Sequence, residues 1–255
     1  RNEVVKTKLS IAISAALLSS AAVADNNTLR IHQISNNLAK NQHSQSVTSV
    51  SGMKDQYDQE TGEATFQWAK SDQRTPDMGA LDSQYKLAFA ADYYLNQVTG
   101  LSTSKNASLK PVLTNLHDTG RGAKIAKYQQ EYQGVEVFNR NFNVLMNSNF
   151  ELVATSGSLL PSSTANTTEL KGIKTTFNDP LNAVKAASKA MGVSDANISA
   201  STTSGKFQSF NVTASGNSKI LKGEPRSKPV FFELKGSLVP AHYVEIEVAD
   251  NDSVD

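Results

Sequence analysis

The chain has 255 residues, of which 38% are hydrophobic and 19% charged, and its formal net charge is +1. This length can bury one large core or two small ones. The nearly neutral charge offers no basic face to nucleic acid, so we expect no nucleic-acid partner. The sequence contains no cysteine, so it has neither disulfides nor a thiol nucleophile.

The first 24 residues have the pattern of a bacterial export signal. Basic residues precede an apolar run from Leu9 to Leu18, and small residues follow up to Ala24. The apolar run is shorter than the roughly 20 residues that a membrane-spanning helix needs, and no later segment qualifies. We therefore predict a signal peptide at 1–24 that is cleaved near Ala24, a secreted product in transit through the periplasm, and no permanent membrane insertion.

Residues 25–79 are predicted to form an N-terminal arm and a hairpin. The turn signal Thr61-Gly62 lies between two strand-like pieces, and the second piece carries Trp68, the single tryptophan of the chain. Because tryptophan is most often a packing residue, we interpret Trp68 in that way.

Residues 80–160 predict a helix followed by an antiparallel meander. The spacing of Leu87, Ala91 and Val98, with Gly100 at the end, predicts a helix of about five turns after Asp82. Four strand-like runs follow, at 109–116, 123–132, 141–146 and 151–156. In the second run, alternation places one set of residues on a common face: Ala126, Tyr128, Gln130 and Tyr132.

A second unit of similar design is predicted at 179–255, after a linker rich in small polar residues at 161–178. Asp179-Pro180 predicts a helix cap and first turn, and an apolar stripe that includes Val184 and Ala187 follows. Strands are predicted at 206–214, 229–235 and 239–248. The predicted fold is therefore α+β, with two helix-plus-antiparallel-sheet units and an N-terminal hairpin.

A motif runs through the predicted strands of the first unit. Gln129-Gln130 and Tyr132 precede Gly134 and the step Val137-Phe138, and a later strand closes on Ser156-Gly157. This pattern resembles the fungalysin/thermolysin propeptide motif, over about residues 82–160.

Two other segments support the same resemblance. The hairpin that begins at Tyr57-Asp58 is similar to the N-terminal hairpin of fungalysin-family pro-regions. Residues 228–246 resemble the closing sheet of a PepSY unit, except that His242 stands near a position that often carries tryptophan. The resemblance implies cystatin/PepSY-like folds for the two units.

The resemblance implies the pro-region of a fungalysin-family secreted zinc metalloendopeptidase, which helps the protease domain fold and inhibits it as a zymogen. The partner would be the cognate metalloprotease catalytic domain in cis, which would follow Asp255 and hold the zinc ion. We accordingly expect the chain, which starts at Arg1, to be part of a longer precursor. The alternative that the residues leave open is a free-standing exported binding or inhibitor module without a catalytic domain.

No residue set in the sequence predicts catalysis, a cofactor or a metal in this chain. The zinc motif His-Glu-x-x-His is absent, as is the Gly-x-Ser-x-Gly elbow of serine hydrolases. No pair among the four histidines has metal-ligand spacing: His32, His43, His117 and His242. We predict that this chain is not itself an enzyme.

One surface is predicted to contact the protease. It combines an exposed strand row with the turn that follows, and its residues are Lys127, Gln129, Glu131, Gly134, Val135, Glu136, Val137 and Phe138. The alternative is that these residues only set the register of a hairpin.

Overall fold

The computed structural model describes residues 9–13, 55–59, 62–69, 75–79, 81–103, 107–161, 176–193, 196–213, 219–234 and 237–250. The chain forms two compact units. The N-terminal unit holds the described residues from 55 to 161. The C-terminal unit holds the described residues among 9–13, 176–234 and 238–250.

Strand β1 (Leu9–Ile13) belongs to the C-terminal unit, and the N-terminal unit follows it along the chain. The elements of the N-terminal unit are β2 (Gln56–Tyr57), β3 (Ala64–Trp68), α1 (Ser83–Thr99), β4 (Leu109–His117), β5 (Lys124–Tyr132), β6 (Val135–Met146) and β7 (Leu152–Gly157). The strand order is β4-β5-β6-β7-β3-β2, and neighbouring strands are antiparallel.

Helix α1 begins after Asp82 and ends at Gly100, as predicted. Gly100 adopts a left-handed φ of 69° and donates its backbone N–H to the Asn96 carbonyl at 2.8 Å, which closes the helix. The buried face of the helix packs on β5 and β6, and this core includes Leu87, Ala91, Tyr94, Leu95, Ala126, Tyr128, Phe142, Val144 and Met146. The predicted alternation in β5 is confirmed, because α1 covers that face of the sheet.

The predicted hairpin is formed by β2 and β3, and it joins the sheet through the pairing of β3 with β7. Gly62, with φ of 70°, donates its N–H to the Asp58 carbonyl at 2.9 Å and closes the turn. Trp68 is half-buried and packs edge-to-face on Phe66, with 5.1 Å between the ring centroids.

The C-terminal unit repeats the plan of one helix on an antiparallel sheet. Besides β1, its elements are α2 (Pro180–Ala190), β8 (Asn197–Ser204), β9 (Phe207–Thr213), β10 (Lys219–Leu234) and β11 (Ser237–Asp250). The strand order is β1-β11-β10-β9-β8. The prediction of an α+β fold with two such units and an N-terminal hairpin is confirmed.

Helix α2 starts as the sequence predicts. The side chain of Asp179 accepts a hydrogen bond from the backbone N–H of Leu181 at 2.9 Å, so Asp179 is the N-cap. Val184 and Ala187 of the predicted stripe are buried. They belong to a core with residues from four strands: Ile198, Phe210, Leu221 and Val244.

Some predictions concern residues that lie outside the described part of the chain. These are the arm at 25–54, most of the linker, and the signal peptide apart from residues 9–13, which form β1. The signal peptide and the domain boundaries stay predictions. Among the described residues, no helix combines the length and the apolar character needed to cross a membrane.

Candidate interaction surface

The predicted contact residues lie on β5, in the turn that follows it and at the beginning of β6. Alternate residues of β5 are buried on the face that α1 covers, so Lys127, Gln129 and Glu131 occupy the opposite, outer face. Lys127 is exposed, whereas Gln129 and Glu131 are half-buried. The predicted exposed row is therefore fully exposed only at Lys127.

The outer face carries a row of charged residues across three strands. Glu131 pairs in register with Lys110 of β4 on one side and with Glu136 of β6 on the other. Opposite charges in register stabilise a sheet and like charges destabilise it, each by roughly 0.2–1 kcal/mol. This end of the hairpin therefore presents two carboxylates and one ammonium group.

The structure corrects the predicted turn. Tyr132 pairs with Val135, so the turn consists of Gln133 and Gly134 alone, with φ of 50° and 83°. Strand β6 begins at Val135, not at Asn141 as the sequence analysis predicted. The side chain of Val137 is completely buried, with 0% exposure, so it is not available on the outer face, and the contact surface itself stays a prediction.

A large bulge explains why the predicted strand started too late. Glu131 pairs with Glu136 and Gln129 pairs with Asn141, so four residues of β6 (137–140) lie opposite Gln130 alone. The side-chain amide of Gln129 donates to the carbonyls of Val137, at 2.8 Å, and Arg140, at 3.1 Å. Gln129 thus supplies the hydrogen bonds that the interrupted ladder cannot provide.

Gln130 points to the other face and holds the segment that leaves β7. Its amide donates to the Leu160 carbonyl at 2.9 Å, and its side-chain oxygen accepts from the Leu160 N–H at 2.8 Å. Gln130 has 0% exposure and Leu160 has 4%. The side chain of Gln130 therefore makes the two backbone hydrogen bonds that a neighbouring strand would make with Leu160, which lies outside the sheet.

Two further residues fix the same region. Arg140, within the bulge, pairs with Glu63 of the hairpin and donates to the Ser158 hydroxyl at 2.8 Å. Gly157 has φ of 90°, and a Cβ atom at this position would lie 2.1 Å from the Asn141 carbonyl oxygen. Only glycine fits there without a backbone shift. The Gln-Gln and Ser-Gly parts of the sequence motif therefore build the bulge and the exit from the sheet.

A buried polar contact joins α1 to β5. The Tyr128 hydroxyl donates to the Asp92 carboxylate at 2.6 Å, and the Thr103 hydroxyl donates to the same carboxylate at 3.2 Å. Burial, together with the hydrogen bond to the Asp92 carboxylate, raises the pKa of Tyr128 far above its ordinary value. In the folded protein, the phenol of Tyr128 is therefore protonated and neutral.

The described residues contain no group of three or more histidine, aspartate or glutamate side chains that could hold a metal ion. His117 is exposed. His242 is buried, with Nε2 2.7 Å from the Asn178 carbonyl and Nδ1 3.3 Å from the Ser227 hydroxyl. Because a carbonyl only accepts, Nε2 carries a proton, and His242 is a hydrogen-bonded core residue.

Comparison with known proteins supports the resemblance for one segment. The Fungalysin/Thermolysin Propeptide Motif matches residues 112–159, which include β5, β6, β7 and the bulge. This segment is therefore of the propeptide type and is not a catalytic domain. Helix α1 and the β2–β3 hairpin lie outside the match.

Two other comparisons establish neither a family nor a fold for this chain. No curated protein sequence matches the chain. A solved structure, the Bacillus megaterium YpeB C-terminal domain, aligns with 87% of this chain and 98% of its own length, at 10% identity and a TM-score of 0.28. A TM-score this low does not establish a shared fold.

Proposed function

We propose that this chain comprises the export signal and pro-region of a secreted, fungalysin-family zinc metalloendopeptidase. The pro-region acts as an intramolecular chaperone and inhibitor of the catalytic domain, which is its partner in cis. The observation that carries this proposal is the propeptide motif at 112–159, which coincides with the central strands of a helix-backed sheet.

The geometry of this sheet suits a template for folding. A chaperone of this kind lowers the free energy of a near-native state by binding it more tightly than the unfolded chain. A template that is already rigid loses little conformational entropy on binding. The hydrogen bonds of Gln129 and Gln130 hold the bulge and the exit segment in one conformation, which supports this role.

The proposed contact surface is the outer face at the end of the β5–β6 hairpin. It comprises Lys127, Glu131, Gly134, Glu136 and the half-buried Phe138. Its charges are of both signs, so it fits a protease surface with complementary charges. Zinc and the catalytic groups are assigned to the catalytic domain, and the C-terminal unit is assigned to a PepSY-like part of the same pro-region.

Inhibition in trans tests this proposal. The purified chain is titrated against the active zinc protease of the same organism while peptide cleavage is followed. We expect saturable inhibition that Lys127→Glu weakens, because the substitution reverses the exposed charge of the surface. Lys222→Glu, an exposed charge reversal on β10, is the matched control and should leave inhibition unchanged.

Refolding of the protease separates the two roles. The denatured catalytic domain should regain activity faster when the chain is present. Refolding without inhibition would restrict the function to that of a chaperone. If neither effect is seen at micromolar concentration, the chain is a free-standing exported module and the proposal is wrong.

A further inference from the structure

The loop at 118–123, between β4 and β5, is exposed along its whole length. Its hydrogen bonds are local: the Gly120 N–H donates to the Asp118 carboxylate at 2.8 Å, and the Thr119 hydroxyl donates to the Arg121 carbonyl at 3.0 Å. At its base, Asp118 pairs with Lys124, the first residue of β5. The loop can therefore change conformation without disturbing the core of the unit.

Arg121 lies at the tip of this loop, between two glycines. Gly120 has φ of 72° and Gly122 has φ of 89°, and an added Cβ would meet no atom within 4 Å at either position. Because glycine adopts left-handed and extended conformations with similar ease, the chain on both sides of Arg121 can become extended. Endopeptidases cut most readily at exposed loop tips with small and polar residues.

The other two arginines in the described part of the chain are held in strands by ion pairs. Arg140 of β6 pairs with Glu63, and Arg226 of β10 pairs with Glu245. Among the described residues, no carboxylate forms an ion pair with Arg121. Its guanidinium group is therefore available to a partner that has an acidic pocket.

We propose that the Arg121–Gly122 bond is a cleavage site for an endopeptidase whose acidic specificity pocket binds the Arg121 guanidinium, as in enzymes of the trypsin type. Hydrolysis breaks the bond between the Arg121 carbonyl carbon and the Gly122 nitrogen. Water supplies a hydroxyl group to the carbon and a proton to the leaving amine, and nothing is oxidised or reduced. The site rests on the exposed loop, whereas its use rests on the proposed function.

Cleavage at this bond divides the core of the N-terminal unit between two chains. Helix α1 precedes the cut and β5, β6 and β7 follow it, and the core joins Leu87 and Tyr94 of the helix to Tyr128 and Phe142 of the strands. A short connection keeps two such parts at an effective concentration on the order of millimolar. After cleavage the parts associate only as separate chains, so dilution separates them. The cut thus inactivates the pro-region and releases the protease.

An arginine-specific endopeptidase tests the site on the full chain. Arg30→Gln and Arg74→Gln, at positions outside the described residues, remove two other cleavage sites, and an unchanged unfolding midpoint in urea shows that this background is folded. Mass spectrometry identifies the fragments. We expect cleavage after Arg121 to be about tenfold faster than after Arg140 or Arg226, because a strand becomes accessible only when the sheet opens. Equal rates at the three arginines, or no cut after Arg121, would overturn the site.

Dilution then tests the consequence of the cut. The cleaved chain should have a midpoint of urea unfolding, followed by Trp68 fluorescence, that falls as the protein is diluted. The matched control carries the additional change Arg121→Gln and is treated with the same endopeptidase, and its midpoint should not depend on concentration. A cleaved chain whose midpoint is also independent of concentration would overturn the release of the pro-region.

Inhibition assays separate this proposal from the proposed function. The intact chain should inhibit the protease, and cleavage after Arg121 should abolish inhibition in dilute solution. Inhibition that survives cleavage would overturn the release. Rapid cleavage after Arg121 in a chain that does not inhibit even when intact would count against the proposed function and not against the cleavage site.

Discussion

The two units place a helix on an antiparallel sheet in the same way, but they stabilise it with different groups. In the N-terminal unit, side-chain amides, Arg140 and Asp92 hold the bulge, the exit segment and the helix in place. In the C-terminal unit, the outer face combines contacts between cations and rings with an ion pair between Arg226 and Glu245. The Arg226 guanidinium lies 4.6 Å from the Phe207 ring centroid, and Lys228 lies 5.3 Å from Phe207 and 5.2 Å from Tyr243.

The two kinds of contact differ in how many residue types can make them. Gln129 bonds the bulge and Gln130 bonds the exit segment, and each of these contacts needs a side-chain amide at the right distance from its partner. A cation over an aromatic ring contributes roughly 0.5–1 kcal/mol at an exposed site, and Arg or Lys can each provide it.

Gly157→Ala should have the largest effect on the N-terminal unit. The new Cβ would meet the Asn141 carbonyl oxygen at 2.1 Å while φ stays at 90°, so we expect a loss of about 4 kcal/mol in the free energy of unfolding. Urea unfolding followed by the fluorescence of Trp68 measures it. Gly120→Ala is the control, because its φ is 72° but no atom lies within 4 Å of the added Cβ, and it should cost about 1 kcal/mol.

Gln130→Leu should rank second. The substitution leaves the buried N–H and C=O of Leu160 without their partner, at a cost of about 2–3 kcal/mol in unfolding free energy. Proteolysis at the Leu159–Leu160 bond should also become faster, because the exit segment is released. Gln133→Leu, in the exposed turn, is the control, and an equal loss there would show that the Leu160 contact does not matter.

Tyr128→Phe should cost about 1–2 kcal/mol, because it removes the hydrogen bond to Asp92. It also changes the response to alkaline pH. The folded phenol keeps its proton while the unfolded phenol ionises near its ordinary pKa of 10.0, so the unfolded state is favoured as pH rises above that value. The stability of the Phe variant should fall less steeply there. Tyr85→Phe, at an exposed position, is the control and should leave the free energy of unfolding at neutral pH unchanged.

Asp179→Ala should have the smallest effect of the four and sharpens the comparison of the two helices. Asp179 caps Leu181, so its loss should cost about 1 kcal/mol and speed amide exchange in the first turn of α2. Asp82 occupies the N-cap position of α1 but makes no side-chain cap hydrogen bond. Asp82→Ala should therefore cost less, and equal costs would contradict this assignment.

The regular parts of both units could be predicted because their signals are local. Gly100 and Asp179 mark helix ends, and alternation along β5 identifies the covered face. The bulge could not be predicted in this way. Gln129 and Gln130 are neighbours in sequence but have unrelated roles, and the partner of Gln130 lies 30 residues away.

The strands of the C-terminal unit show a second limit. Strand β8 was not predicted, because Ile198 is its one buried residue and the others are exposed and either small or polar. The predicted strand 229–235 is the second part of β10, which begins at Lys219. Gly223 and Pro225 interrupt the strand pattern, and both normally count against a central strand.

The pairing of β3 with β7 has a consequence for the order of folding. Phe66 meets Ser156 in register, so ninety residues separate the two partners along the chain. Helix α1 can form from local contacts as soon as it is synthesised, whereas the hairpin can join the sheet only after β7 exists. Closure of so long a loop raises the entropic barrier, and folding of sheets with distant partners is slow. The sheet of the N-terminal unit is therefore expected to stay incomplete until β7, its last strand, has been synthesised.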